Sequence, residues 1–227
     1  MKIISFLNHK GGVGKTTLCS NIAKSILRQD EPNSILLVDA DPQGSLRDWH
    51  DALDMNIVLP GIEVIGADRR NTLVGAKDIA LNIGADYMLI DTPGDIKEIH
   101  GVALRMADLV IIPIRPSPYD VWATEDTIEL VRTARGMNER LKAAIVINQA
   151  IPNTKIHSEV SALLAQYSDF FIPEQHVSHR VSFAKTAALG QTVFDSNDSA
   201  AIKEVDYLTE ELLDYLYDRS SDDNQAA

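Results

Sequence analysis

Residues 10 to 16, Lys10-Gly11-Gly12-Val13-Gly14-Lys15-Thr16, set three glycines between two lysines and end on a hydroxyl. Glycines let successive backbone N–H groups turn toward one point, and a helix starting there adds the positive end of its dipole. Such a turn cradles phosphates, with Lys15 reaching the β- and γ-phosphates and the Thr16 hydroxyl meeting Mg²⁺. Two acidic segments follow: Ile35-Leu36-Leu37-Val38-Asp39-Ala40-Asp41-Pro42-Gln43-Gly44 and Tyr87-Met88-Leu89-Ile90-Asp91-Thr92-Pro93-Gly94. In each, an apolar run delivers acids to a strand end, where they hold Mg²⁺ or orient water. Asp39 read alone could equally cap the turn that follows its strand. The three segments together predict a nucleoside triphosphate site.

Stepping outward, Ile3-Ile4-Ser5-Phe6-Leu7 reads as the strand before the glycine turn, and Leu18, Ile22, Ala23 and Ile26 mark the helix after it. Short strands are expected at 62–65, 109–114 and 143–148, helices at 73–83, 119–134 and 157–166, and a last strand at 170–172. Near-continuous apolar strands alternating with amphipathic helices predict a doubly wound α/β fold, a mainly parallel sheet with helices on both faces. Ligands bind such sheets at the carboxyl ends of the strands, where all three motifs fall. The expected organisation is one domain over residues 1–218, with 219–227 a disordered polar tail.

The loop departs from the usual G-x-x-x-x-G-K-[ST] pattern, because His9 takes the first glycine position and Lys10 adds a second lysine. Alone, Lys10 is a solvated loop lysine. With its neighbours it resembles the deviant Walker A loop of the ParA/MinD superfamily. Asp39-Ala40-Asp41-Pro42-Gln43 resembles that superfamily's Walker A′ element, and Asp91-Thr92-Pro93-Gly94 its Walker B. Asp108-Leu109-Val110-Ile111-Ile112-Pro113 with Pro116-Ser117-Pro118 is similar to the small plasmid-type ParA proteins, ParF included; read alone, the prolines make a rigid turn. The resemblance runs from Lys2 to about Leu216.

It implies an ATPase that uses ATP and Mg²⁺. Gly11, Gly12, Val13, Gly14, Lys15, Thr16 and Thr17 would wrap the phosphates, Lys10 would cross a homodimer interface to the other subunit's nucleotide, and Asp41 would place the attacking water. Thr16, Asp39 and Asp91 would act through Mg²⁺ and its water shell, and Asn148, at a strand end, would meet the adenine.

The composition narrows the partners. The 227 residues carry a net charge of −12 with 45% hydrophobic content, which suits a globular chain and looks wrong for a nucleic-acid binder. Yet from Glu204 to Ala227 eight acids face Arg219 alone, so the acidity is concentrated at one end. Ser178 to Gln191, ending in a helix-breaking glycine, resembles the family's stretch for non-specific DNA contact, with Arg180 and Lys185, and Lys203 further on, as candidates. Read alone, these are scattered surface charges. The single cysteine, Cys19, falls on the apolar side of its helix and reads as packing; one cysteine also argues against the superfamily's iron–sulfur reductases. His176 and His179 read as surface histidines, and no metal cluster completes them.

The resemblance implies a cytoplasmic, nucleoid-associated DNA-segregation ATPase without a membrane anchor. The acidic C-terminus speaks against a basic membrane-targeting helix. With a strand opening at Lys2, an N-terminal helix-turn-helix is not expected, and centromere recognition would belong to a ParB-like adaptor. The alternatives are a ParA-like positioner of another cargo, such as a chemoreceptor array or microcompartment, and a metabolic P-loop ligase.

Overall fold

The computed structural model describes residues 1–29, 34–54, 60–151 and 156–218. In chain order these form β1 (Lys2–Phe6), α1 (Lys15–Gln29), β2 (Ile35–Asp39), α2 (Ser45–Asp51), β3 (Ile62–Gly66), α3 (Arg70–Asn82), β4 (Tyr87–Asp91), α4 (Lys97–Met106) and β5 (Leu109–Ile114). There follow α5 (Pro118–Ala123), α6 (Glu125–Arg135), β6 (Lys142–Ala150), α7 (Ile156–Leu164), β7 (Val177–Ser178), α8 (Val181–Ala187) and α9 (Ser199–Tyr217).

The strands make one seven-stranded sheet in the order β3-β2-β4-β1-β5-β6-β7. Every pairing between them is parallel. Because successive strand side chains point to opposite faces, each apolar run serves two cores at once. Ile3, Leu36, Val38, Met88, Ile90, Val110, Ile112 and Ile145 face α3, α4, α6 and α7. Ile4, Phe6, Ile35, Leu37, Leu89, Leu109, Ile111 and Val146 face α1, α2 and α9. Cys19 is fully buried in the second of these cores, where it packs as expected.

Two expectations need correction. The helix foreseen at 119–134 is two, broken at Thr124: its hydroxyl turns back onto the Asp120 carbonyl at 2.7 Å and its amide meets the Val121 carbonyl at 3.0 Å. A side chain that bonds its own backbone competes with the helix ladder. The foreseen last strand at 170–172 makes only one bridge, Ala144 to Phe171, because Pro173 has no amide with which to extend the pairing. The final strand is β7, paired to the far end of β6. His176 and His179 flank it. The tail at 219–227 lies outside the described residues.

Gly190 closes the structure on the α2 side. Its φ is +67°, and a Cβ there would stand 2.4 Å from the Leu53 amide nitrogen and 2.7 Å from the Trp49 carbonyl. Beside it the Trp49 indole donates to the Gln191 carbonyl at 2.9 Å. The stretch after α8 is thereby seated on α2.

Candidate functional site

The glycine loop spans the gap between β1 and α1, with Gly12 and Gly14 at positive φ. Gly14 also has no room for a side chain, since a Cβ would meet the Asn148 amide at 2.3 Å. Asn148, from β6, donates to the Val13 carbonyl at 2.8 Å and braces the loop from beneath. The Lys15 ammonium curls inside, donating to the Asn8 carbonyl at 3.1 Å and the Lys10 carbonyl at 3.4 Å. Burial lowers the Lys15 pKa, while Asp91 and Asp41 nearby oppose that shift. A lysine so placed is a charge without a full counterion, ready for phosphate.

The acids occupy adjacent strand ends: Asp39 of β2 lies in register with Asp91 of β4, which pairs with Phe6 of β1. Thr16 Oγ1 donates to Asp91 Oδ2 at 2.5 Å. The other oxygen, Asp91 Oδ1, is buried with no hydrogen-bond partner among the described residues. Burial pushes the Asp91 carboxyl up to about 7; the Thr16 bond and Lys15 pull it down, and Asp39 and Asp41 add to the rise. An orphaned oxygen on a buried acid is what a divalent cation would complete. Asp39 differs. Its Oδ1 accepts the Asp41 amide at 3.0 Å, and its Oδ2 accepts the Arg47 amide at 3.0 Å. Both oxygens are turned into the following loop, the capping arrangement that its residue type also allowed.

Asp41 lines a cavity of about 1010 Å³ that runs from Gly11, Gly12 and Lys15 past Thr92 and Asp95 to Trp49 on α2. A smaller pocket of about 180 Å³ opens beside Thr17, walled by Asn148, Gln149, Ser178, Arg180 and Phe183. Behind the loop, buried His100 bonds the Pro93 carbonyl through Nε2 at 2.9 Å and meets His9 edge-on at 4.9 Å between ring centres. The two rings tie the Asp91 loop to the glycine loop. Desolvation lowers the His100 pKa, which keeps it a neutral strut.

Lys10 lies outside the cradle. Its ammonium is 2.5 Å from buried Asp120 of α5, which Arg115 also reaches at 3.2 Å. Of the three cations foreseen for DNA, Lys185 and Lys203 are exposed on α8 and α9. Arg180 is committed to Glu204 at 2.6 Å and lies 3.6 Å from Asp198, so its charge is spent inside the chain. Sequence reasoning had no signal for Asp120 or Arg47, because a lone acid or cation on a short helix has no diagnostic spacing. Among the described residues no group of three His, Cys, Asp or Glu forms a metal cluster, and no helix is long and apolar enough to cross a membrane.

A family model described as VirC1 protein matches residues 1–212. The maintenance of carboxysome distribution protein A of Halothiobacillus neapolitanus is 34% identical over 154 residues, covering 66% of this chain and 68% of that protein. Among solved structures, a chain of the MinC:MinD cell division protein complex of Aquifex aeolicus superposes with a TM-score of 0.74 at 19% identity, covering 94% of this chain and 96% of the other. Cobyrinic acid a,c-diamide synthase of Mycobacterium smegmatis, bound to an ATP analogue and magnesium, gives a TM-score of 0.74 at 18% identity, with 97% of each chain covered. At these identities the two structures speak for the fold.

Proposed function

This chain belongs to the VirC1 family, within the ParA/MinD superfamily of P-loop ATPases, and on that premise we propose that it is an ATP-driven DNA-segregation ATPase. One observation carries the reading: Lys15, Thr16 and the unpartnered Asp91 Oδ1 converge at the mouth of the glycine loop. Thr16 and Asp91 would hold Mg²⁺ there, and the bound ion would neutralise charge on the β- and γ-phosphates. The loop amides and Lys15 bind the triphosphate, and Asp41, on the wall of the same cavity, orients water for in-line attack on the γ-phosphorus.

ATP then brings two copies face to face, with Lys10 leaving Asp120 for the nucleotide of the other subunit. Arg115 stays on Asp120 and keeps that buried carboxylate paired. The dimer doubles the exposed Lys185 and Lys203 on one molecule and binds nucleoid DNA through phosphates, without sequence preference. A cargo-bound adaptor, ParB-like for a plasmid or chromosome, stimulates hydrolysis and releases the DNA. The ATPase part of this cycle is assigned to one domain over residues 1–218.

A second reading, positioning of a protein compartment by the same cycle, is favoured by the 34% identity to the carboxysome distribution protein. Sedimentation and DNA-retention assays with Mg²⁺-ATP test the core of the proposal. ATP-dependent dimers whose DNA affinity falls steeply with salt are expected. A protein that stays monomeric with ATP, or turns over ATP only with a small carboxylate or amine substrate, would refute it in favour of a ligase. Capture of partners on the ATP-trapped dimer separates a centromere-binding adaptor from a compartment protein.

A further inference from the structure

Resting on the ATPase reading, we infer that Arg47 is the positioning residue of the hydrolytic loop, holding Asp41 in place through Asp39 and the start of α2. The residue before α2, at its N-cap, is Gly44, a left-handed residue with no side chain to cap the helix. Its third amide, that of Arg47, goes instead to Asp39 Oδ2, while Asp39 Oδ1 takes the Asp41 amide. A wholly buried carboxylate in this role brings a third acid beside Asp41 and Asp91, and needs a cation to offset it.

Arg47 is that cation. Its Nε lies 3.4 Å from Asp39 Oδ2, and its Nη2 donates to the Asp41 carbonyl at 3.3 Å. One planar fork thus grips both the anchor and the residue to be positioned. The chain leaves space for it: a Cβ at Gly44 would stand 3.1 Å from the guanidinium, and one at Gly66 would stand 3.0 Å from it. Gly66 is the β3 residue in register with Asp39. The turn is completed locally, by the Gln43 amide on Asp41 Oδ1 and the Gly44 amide on the Asp41 carbonyl, each at 2.9 Å. With its amide and carbonyl both tethered, Asp41 presents its carboxylate along the cavity in one orientation. Lys15 takes its contacts from Asn8 and Lys10, so nucleotide binding does not depend on this clamp.

Steady-state ATP hydrolysis by the full chain tests the inference in three variants. Arg47→Ala should lower kcat by roughly tenfold to a hundredfold, as expected when a reacting group drifts by about 1 Å. KM for ATP should stay within about twofold, the signature of an interaction made in the transition state. Because Arg47 is half-exposed, added guanidinium at sub-denaturing concentration should restore part of the lost kcat. Gly66→Ala should give a smaller kcat defect in the same direction, by shifting the guanidinium a few tenths of an ångström without deleting it, and should resist that rescue. Arg47→Lys should recover only partly, since an ammonium cannot grip both partners. Retained thermal stabilisation by Mg²⁺-ATP controls for folding in each variant. Unchanged kcat in Arg47→Ala, or kcat and ATP binding falling together without rescue, would overturn the positioning role. An unmodified protein that does not hydrolyse ATP would overturn the ATPase reading itself, and the inference with it.

Discussion

Replacing Asp91 with Asn should make the nucleotide-free protein more stable in alkaline buffer while destroying its Mg²⁺-ATP site. The reasoning starts from a carboxyl raised from 3.8 to about 7, chiefly by burial. Between these values the folded protein holds a proton that the unfolded chain releases. This contribution therefore favours folding at low pH and is lost as pH rises from about 4 through about 7. Applying linkage to those two values, the penalty is about 2 kcal/mol at pH 5 and about 4 kcal/mol at pH 8. Asn does not titrate, so the variant escapes the change.

Its altered hydrogen bonding to Thr16 adds a constant that cancels when the two pH values are compared. The difference in stability between variant and wild type should thus grow by about 2–3 kcal/mol from pH 5 to pH 8, or roughly 4–12 °C in Tm for a chain of this size. Thermal unfolding followed by circular dichroism, without nucleotide or metal, measures it directly. Parallel Tm–pH curves would refute the argument, because they would show Asp91 ionised throughout that range.

Three further outcomes are expected. Lys15→Ala should lose the thermal stabilisation by Mg²⁺-ATP that the wild type shows, about 2.7 kcal/mol at a hundredfold excess over Kd, in a scanning fluorimetry titration. Lys10→Ala should keep that stabilisation, since its ammonium lies on Asp120 and outside the cradle, yet show no ATP-dependent dimer by sedimentation. Gly190→Ala combines left-handed strain of about 1–2 kcal/mol with overpacking of about 1–3 kcal/mol; a Tm within 2 °C of wild type, on a scale of roughly 2–4 °C per kcal/mol, would contradict its close seat on α2.

The sequence exposes what depends on spacing along the chain and hides what depends on folding. The turn through Gly12 and Gly14 between β1 and α1 was readable because it is one contiguous segment, and β1, β2, β4 and β5 because buried parallel strands are unbroken apolar runs. Asp91 was readable as a strand-end acid, but its meeting with Thr16, 75 positions earlier, was supplied by the sheet order. Thr124 was hidden because a hydroxyl bonding its own helix leaves the apolar period intact. Arg180 showed its charge, whereas Glu204, which consumes it, is 24 residues away on another helix. Arg47 is the clearest case. Its two partners precede it by eight and six residues, yet only the reversal of the chain at Gly44 folds it back onto them.

The strand order also sets a timetable for biosynthesis. β1 is made first, but its neighbours in the sheet are β4 and β5, so its hydrogen-bonding edges find no partner until residues 87 to 91 exist. The first ladder available to a growing chain is β2 with β3, a local parallel unit. Domains fold as they emerge, N-terminal parts first, and non-local parallel pairing is slow. Here the N-terminal strand must wait while a later unit forms, whose free β2 edge is filled by β4 and which reaches β1 only through it. The glycine loop hangs from that waiting strand, so it is anchored in the sheet only when β4 arrives, bringing Asp91 with it. Nucleotide would then reward completion of the sheet's centre and act as a folding ligand before it serves as a fuel.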